Sequence, residues 1–350
     1  MNRLLKSTAV PLLGVAGALG IPRAAHRIWF RDKLAILMYH AVVRNPPDGV
    51  KSGFVSESSF REQIHYLKKH FDVLPLAEAV EKMYRQELKN PTVAITFDDG
   101  FQNNYDVVFP ILRDAGLCAT IFLTSGLIGT AKTFWYLQLN EAVMRTRKDA
   151  IDWNGSKYVF NDLASRMSSE EALRAALKRL PYATLMEQWR LVLQKLGADP
   201  DAPVDIGSPF RMLSFDAVRE MARSSVISFG AHTHTHRRMA TLSLRECTQE
   251  VKESIAIVEH VTGRPCEVFA YPFGSRHDYN ASAVKVVADC GIRYAVTATS
   301  GFNDIRALPL ELRRYGVSPT TSMPIFKFQV HRVLASGAFK FRSEINEVRQ

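Results

Sequence analysis

Two adjacent carboxylates, Asp98 and Asp99, close the apolar run Val93-Ala94-Ile95 in the pentad Thr96-Phe97-Asp98-Asp99-Gly100. Like charges side by side at the end of a buried strand are destabilising unless something compensates them, typically a cation. An Asp-Asp-Gly turn that satisfies its own backbone is the plain alternative. A second group argues against it, because Gly230-Ala231-His232-Thr233-His234-Thr235-His236 brings three histidines within five residues. In an extended chain all three share a face; in a helix only His232 and His236, at i and i+4, converge. Neutral imidazole and carboxylate suit zinc and its neighbours. Two histidines and one aspartate make a three-ligand site open to water and substrate. The other aspartate is then left to take a proton from the activated water.

These residues need strands to hold them. Leu34–Tyr39, residues 92–97, Ala119–Leu123, Val226–Phe229, Val268–Tyr271 and Tyr294–Thr297 are apolar runs of strand length, and helical spacings lie between them. Ser58 and Ser59 precede Phe60, Ile64 and Leu67; Val107, Ile111 and Leu112 lead to Gly116; Ser243-x-x-Glu246 opens a helix with Leu244, Val251, Ile255 and Val258 on its buried face, ending at Gly263. Buried strands alternating with helices predict a parallel α/β sheet or barrel. Residues 133 to about 210 break the rhythm with helical segments, two of them behind the capping patterns Ser168-x-x-Glu171 and Thr184-x-x-Glu187. The second carries Leu185, Trp189, Val192 and Leu196 and stops at Gly197. The stretch reads as an insertion in one α/β domain.

The chain has 350 residues, 47% of them hydrophobic, enough for a full core. Cys118, Cys247, Cys266 and Cys290 are far apart, which excludes a zinc ribbon, a C-x-x-C redox motif and a dense disulfide scaffold. Of the net charge of +10, residues 1–33 supply +5, six basic residues against Asp32 alone. No nucleic-acid-binding signature accompanies this charge. Ala9–Ile21 is apolar but shorter than the roughly 20 residues of a spanning helix. It fits a signal peptide with an A-x-A-like site at Ala16-Gly17-Ala18, or an uncleaved interfacial helix anchored by Ile28, Trp29 and Phe30. Either reading puts the protein at the cell envelope beside a membrane surface; a cytosolic enzyme is the rival.

Thr96-Phe97-Asp98-Asp99-Gly100 and His232-Thr233-x-x-His236 resemble the first two motifs of the polysaccharide deacetylases, the NodB-homology or carbohydrate esterase family 4 enzymes. The resemblance runs from about Leu34 to Ser318 and implies a distorted (β/α) barrel with a helical insertion. It implies a domain at 34–330, with the N-terminal segment 1–33 before it and a basic tail, 331–350, after it. It also implies that Asp98 is the catalytic base, that Asp99, His232 and His236 hold a divalent metal, and that His234 falls on a variable position. Zn²⁺ is the first expectation, with Co²⁺, Ni²⁺, Mn²⁺ or Fe²⁺ accepted by the same ligands.

The third motif departs from the family. Where an arginine commonly orients the base, this chain has Ala270 in Ala270-Tyr271-Pro272-Phe273-Gly274. The backbone N–H of Phe273 still matches the family's oxyanion donor. Arg313 or Arg314, ahead of the strand-like Tyr315-Gly316-Val317, is the expected substitute for the orienting charge, with Arg314 preferred. No late L-x-H motif supplies an acid, but Met38-Tyr39-His40 resembles the branch that deacetylates poly-β-1,6-N-acetylglucosamine. That likeness makes His40 the general acid, an imidazolium with a pKa near 6.5; His277 is the weaker candidate. Trp135 and Tyr136 are candidates for stacking on a sugar, against ordinary core packing. The expected activity is metal-dependent N-deacetylation of an N-acetylhexosamine in a glycan or glycolipid. An O-acetyl esterase, a small-molecule amidase and a degenerate glycan-binding protein are the alternatives.

Overall fold

The computed structural model describes residues 33–44, 46 and 53–331. Apart from Lys33 and His331, the expected N-terminal segment and C-terminal tail lie outside the described residues. Along the chain come β1 (Leu34–Tyr39), β2 (Ala41–Val43), β3 (Phe54–Ser56), α1 (Glu57–His70), β4 (Asp72–Val73), α2 (Leu76–Tyr84) and β5 (Thr92–Phe97). A π-helical turn (Asn104–Val108) runs into α3 (Phe109–Ala115), followed by β6 (Ala119–Leu123), α4 (Trp135–Arg145), β7 (Ala150–Trp153), β8 (Ser156–Val159), α5 (Leu163–Lys178) and α6 (Tyr182–Leu196). The rest is α7 (Phe215–Arg223), β9 (Ile227–Ala231), α8 (Leu244–Thr262), β10 (Val268–Ala270), α9 (Ala281–Asp289), β11 (Tyr294–Val296), β12 (Tyr315–Gly316) and α10 (Met323–His331).

The main sheet is parallel throughout and runs β11-β10-β9-β6-β5-β1-β12, with β4 also on β5. It curls until its edges approach. Leu312 pairs with Val296 of β11, and three residues later Tyr315 pairs with Leu37 of β1. One short segment therefore touches both edges and closes a distorted (β/α) barrel.

Period-two alternation sorts the strand side chains into two layers. Leu34, Ile36, Ala94, Phe122, Val268, Ala270, Val296 and Leu312 join Leu76, Val80 and Met83 of α2 in one inner cluster. The Leu76 amide donates to Thr120 Oγ1 (3.4 Å), so α2 fills the end of the barrel where the strands begin. Ala35, Leu37, Tyr39, Val93, Ile95, Phe97, Ile121 and Leu123 point the other way, onto the buried faces of α1, α7, α8 and α9. Extending the inner alternation to the strand ends brings in Thr96 and Asp98 after Ala94, His40 after Ile36, and Arg314 after Leu312. The site residues thus sit at the carboxyl ends of the strands, opposite the plug.

Of the described residues, 33–44, 46, 53–130 and 212–331 form one compact unit and 131–211 a second. The second unit has its own core, including Leu139, Val143, Trp153, Phe160, Leu173, Trp189 and Leu193. It is not purely helical, because β7 and β8 form an antiparallel hairpin. Its turn is Asn154-Gly155, both at positive φ (51° and 73°), the pair a two-residue hairpin turn favours. That Asn-Gly was the sequence signal for the hairpin.

Several helix starts differ from expectation. Ser56 caps α1, two residues before Ser58. Ser168 and Glu171 lie inside α5, whose capping box is Asp162 with Ser165. Thr184 and Glu187 lie inside α6, which begins behind Pro181. The Ser243–Glu246 box and the Gly263 cap stand as expected, but Leu244 is exposed and the buried stripe of α8 includes Glu250. The four cysteines are free.

Candidate active site

Asp98 and Asp99 leave β5 in divergent directions because the chain turns between them. The Asp98 amide donates to the Tyr39 carbonyl (2.9 Å), and Asp99 and Gly100 take φ of 77° and 83°. Both carboxylates are 3% exposed. Thr233, His236 and Phe273 also lie at positive φ (59°, 58° and 61°). Four of the six such non-glycine residues among the described ones therefore belong to this site, a clustering expected where surroundings over-determine a functional geometry.

Arg314 meets Asp98 side-on. Nη1 donates to Oδ1 at 2.6 Å and Nη2 to Oδ2 at 2.7 Å. The guanidinium is itself fixed, Nε donating to the Thr297 carbonyl (2.8 Å) and Nη1 also to Thr96 Oγ1 (3.2 Å), above the Phe122 ring. Burial would push the Asp98 carboxyl up, but the Arg314 charge, with His232 and the two hydrogen bonds, holds it well below the usual carboxylate range. Arg313 is elsewhere, its side chain packed beside Gly301.

Asp99 has the opposite environment. Burial, then the neighbouring Asp98 charge, raises its pKa well above the ordinary value. Its buried Oδ1 accepts no hydrogen bond and lies 3.6 Å from His232 Nε2 and 3.5 Å from His236 Nε2. His232 Nδ1 faces the Ala270 carbonyl at 2.7 Å, which makes Nδ1 the donor and leaves the Nε2 lone pair toward Asp99. Burial lowers His232 to about 4 and His236 well below its ordinary value, so both imidazoles are neutral. One orphaned carboxylate oxygen and two imidazole nitrogens, all within 4.8 Å of one another, make a donor set that fits a divalent transition metal.

His40 sits between β1 and β2, beside Gly53, with Nδ1 buried and without a hydrogen bond. Burial lowers its pKa, Asp98 opposing and Arg314 adding to the shift. The resting group is therefore a neutral imidazole rather than the expected imidazolium. Asn104 Nδ2 donates to the His40 carbonyl (2.9 Å) from the π-turn. The Phe273 ring packs edge-on against His236 at 4.8 Å, and Phe273 and Gly274 share a left-handed turn.

His234 lies outside the ligand set; Nδ1 meets Ser125 Oγ at 3.0 Å and Nε2 lies 3.8 Å from Glu253. His277 is exposed and its carbonyl accepts from Arg238. Trp135 packs against the core of the second unit and Tyr136 stacks on Phe134. A cleft of about 480 Å³ in that unit, bordered by Glu141, Arg145 and Asp205, contains none of the residues above. Glu250 was missed: its buried carboxylate accepts from Thr235 between the histidines. An acidic residue on the apolar stripe of α8 was the available signal.

The polysaccharide deacetylase family model matches residues 85–172 and 206–295, half of the chain. The chain belongs to the polysaccharide deacetylase family. The matched stretches contain Asp98, Asp99, His232, His236 and Phe273 but neither His40 nor Arg314. The chain is 34% identical over 112 residues to the poly-β-1,6-N-acetyl-D-glucosamine N-deacetylase of Staphylococcus epidermidis, a match covering 29% of this chain and 39% of that protein. It spans little more than a third of the length of the curated relatives it matches.

In structure it is similar to the Streptococcus pyogenes deacetylase PplD, at a TM-score of 0.57 and 20% identity, covering 85% of this chain and 98% of the other. It is also similar to IcaB from Ammonifex degensii, at 0.55 and 17%, covering 85% and 97%. At these identities the structural likeness speaks for the fold, a curled parallel half-barrel wrapped by helices.

Proposed function

We propose that this chain is a metal-dependent N-deacetylase that releases acetate from N-acetylhexosamine units of an extracellular or envelope glycan. The observation that carries the reading is the division of the aspartate pair: Asp98 is held ionised by Arg314, while Asp99 faces His232 and His236 with an unsatisfied oxygen. Asp99, His232 and His236 would hold the cation. When bound, it supplies Lewis acidity, polarising a carbonyl and bringing a water pKa down to roughly 7.

Asp98 then takes the proton of the attacking water, its two oxygens oriented by the Arg314 fork. The Phe273 backbone N–H, matching the family's third motif, serves as donor to the developing oxyanion. His40, protonated from solvent before the step, delivers that proton to the departing nitrogen and returns to the neutral imidazole. Its lowered pKa makes the protonated form a readier donor, and the nearby Asp98 charge counters the loss of that form. An amine leaves only with a proton, so a dedicated acid favours amide over ester cleavage. The staphylococcal relative's name supports β-1,6-linked N-acetylglucosamine as the first substrate to try, and a glycan of that kind agrees with a cell-envelope location; the Asp-His-His donor set makes Zn²⁺ the first metal to try.

The test is acetate release from β-1,6-linked N-acetylglucosamine oligomers, alongside a chromogenic acetate ester, with and without a chelator. Chelation should abolish turnover and metal return restore it. Asp98→Asn should keep the metal and lose at least about a hundredfold in turnover. An active Asp98→Asn enzyme would remove Asp98 from the role of base; an enzyme cleaving only the ester would overturn the substrate class.

A further inference from the structure

We propose that Glu250 is a positioning residue that fixes the loop bearing His232 and His236 for metal binding; this rests on the metal reading above. Glu250 is 7% exposed on α8. Its Oε2 accepts the Thr235 amide at 2.8 Å and its Oε1 accepts the Thr235 hydroxyl. Among the described residues no Lys or Arg forms an ion pair with it, so both oxygens serve the loop.

That loop has an unfavourable shape for its sequence. Thr233 is β-branched and His236 bulky, yet both take left-handed φ (59° and 58°). Such conformations persist where the surroundings leave no alternative. On the side of β6, the His232 amide donates to the Leu123 carbonyl (3.0 Å), Ser125 N–H to the Thr233 carbonyl (3.3 Å) and Gly126 N–H to the His234 carbonyl (2.8 Å). Thr233 Oγ1 accepts the His236 amide at 3.0 Å and closes the turn from within. On the α8 side, Thr235 hangs from Glu250 immediately before His236. The Glu250 bonds thus hold the residue directly before His236, and Arg237, directly after it, donates to Glu246 of the same helix at 3.0 Å; losing the Glu250 hold loosens the approach of the His236 imidazole to Asp99.

Co²⁺ alone is the probe, titrated calorimetrically and by visible absorption into chelator-stripped full-length protein. Glu250→Leu, which removes both hydrogen bonds to the loop, should weaken Co²⁺ binding about tenfold or more. Thr235→Val, an exposed position that keeps its amide bond, should weaken it several-fold and leave the metal-free unfolding midpoint at the wild-type value. If Glu250→Leu fails to fold, Thr235→Val alone decides. Binding within twofold of wild type in the folded variants, with an unchanged Co²⁺ spectrum, overturns the positioning role. Wild-type protein that takes up no Co²⁺ overturns the metal reading and this inference with it.

Discussion

Asp98 is buried deeply enough that burial alone would protonate it, and Arg314 reverses that outcome. A depressed carboxylate stabilises the fold above its unfolded pKa of about 3.9 and loses that contribution as pH falls through its lowered folded value. Arg314→Met removes the opposing charge, so the Asp98 pKa rises and the acidic limb of the pH–kcat/KM profile should move to higher pH. An unpartnered buried charge also costs about 3–5 kcal/mol, visible as a lower unfolding midpoint. Arg314→Lys, which keeps the charge but not the fork, should rescue both in part and stop short of wild type. Asp99 predicts the opposite proton traffic. Burial and the Asp98 charge make it hold its proton to higher pH than an ordinary carboxyl in the metal-free protein, whereas His232 and His236 are shifted toward the neutral form. Proton release on metal uptake should therefore grow as pH falls through the raised Asp99 value, measurable by calorimetry in buffers of different ionisation enthalpy.

At the scale of elements, close packing between β6, β9 and β10 supports the pair. A Cβ added at Gly230 would meet the Phe122 ring and Val268 Cγ2, each at 2.7 Å. Phe122 underlies the Arg314 guanidinium, so Gly230→Ala should cost about 1–3 kcal/mol and also depress turnover, comparing thermal midpoints with rates. A lower midpoint with unchanged turnover would uncouple Phe122 from the site. The long buried strands were legible in sequence because burial on both faces makes them continuous apolar runs: β1, β5 and β6 carry the expected bounds. Helix starts were less legible. Serine and acid pairs recur inside α5 and α6, where they imitate capping boxes, and Pro181 starts α6 without one. That Asp99, His232 and His236 come together was legible because two motifs converge on them. The Asn104–His40 bond was not, since it joins residues 64 apart in sequence; Glu250, 15 residues from Thr235, showed only as an acid on the buried stripe of α8.

At the scale of the molecule, the second unit leaves and rejoins the barrel at neighbouring points. Gly129 N–H donates to the Leu213 carbonyl at 2.7 Å, and Leu213 N–H to the Gly100 carbonyl at 2.9 Å. Replacing 131–211 by a short glycine linker from Thr130 to Met212 should leave the barrel unit folded and able to bind Co²⁺, checked by circular dichroism and calorimetry. Loss of the fold would show that 131–211 is integral to the barrel. The closing segment 312–316 has its own consequence. Arg314 meets Asp98 across 216 positions of sequence, on the segment that seals the gap between β11 and β1. Contacts of such separation form late in folding. On the proposed mechanism Asp98 is therefore tuned only when the barrel shuts, which makes competence a readout of completed topology: a chain that has built every other strand would gather Asp99, His232 and His236 and stay inert.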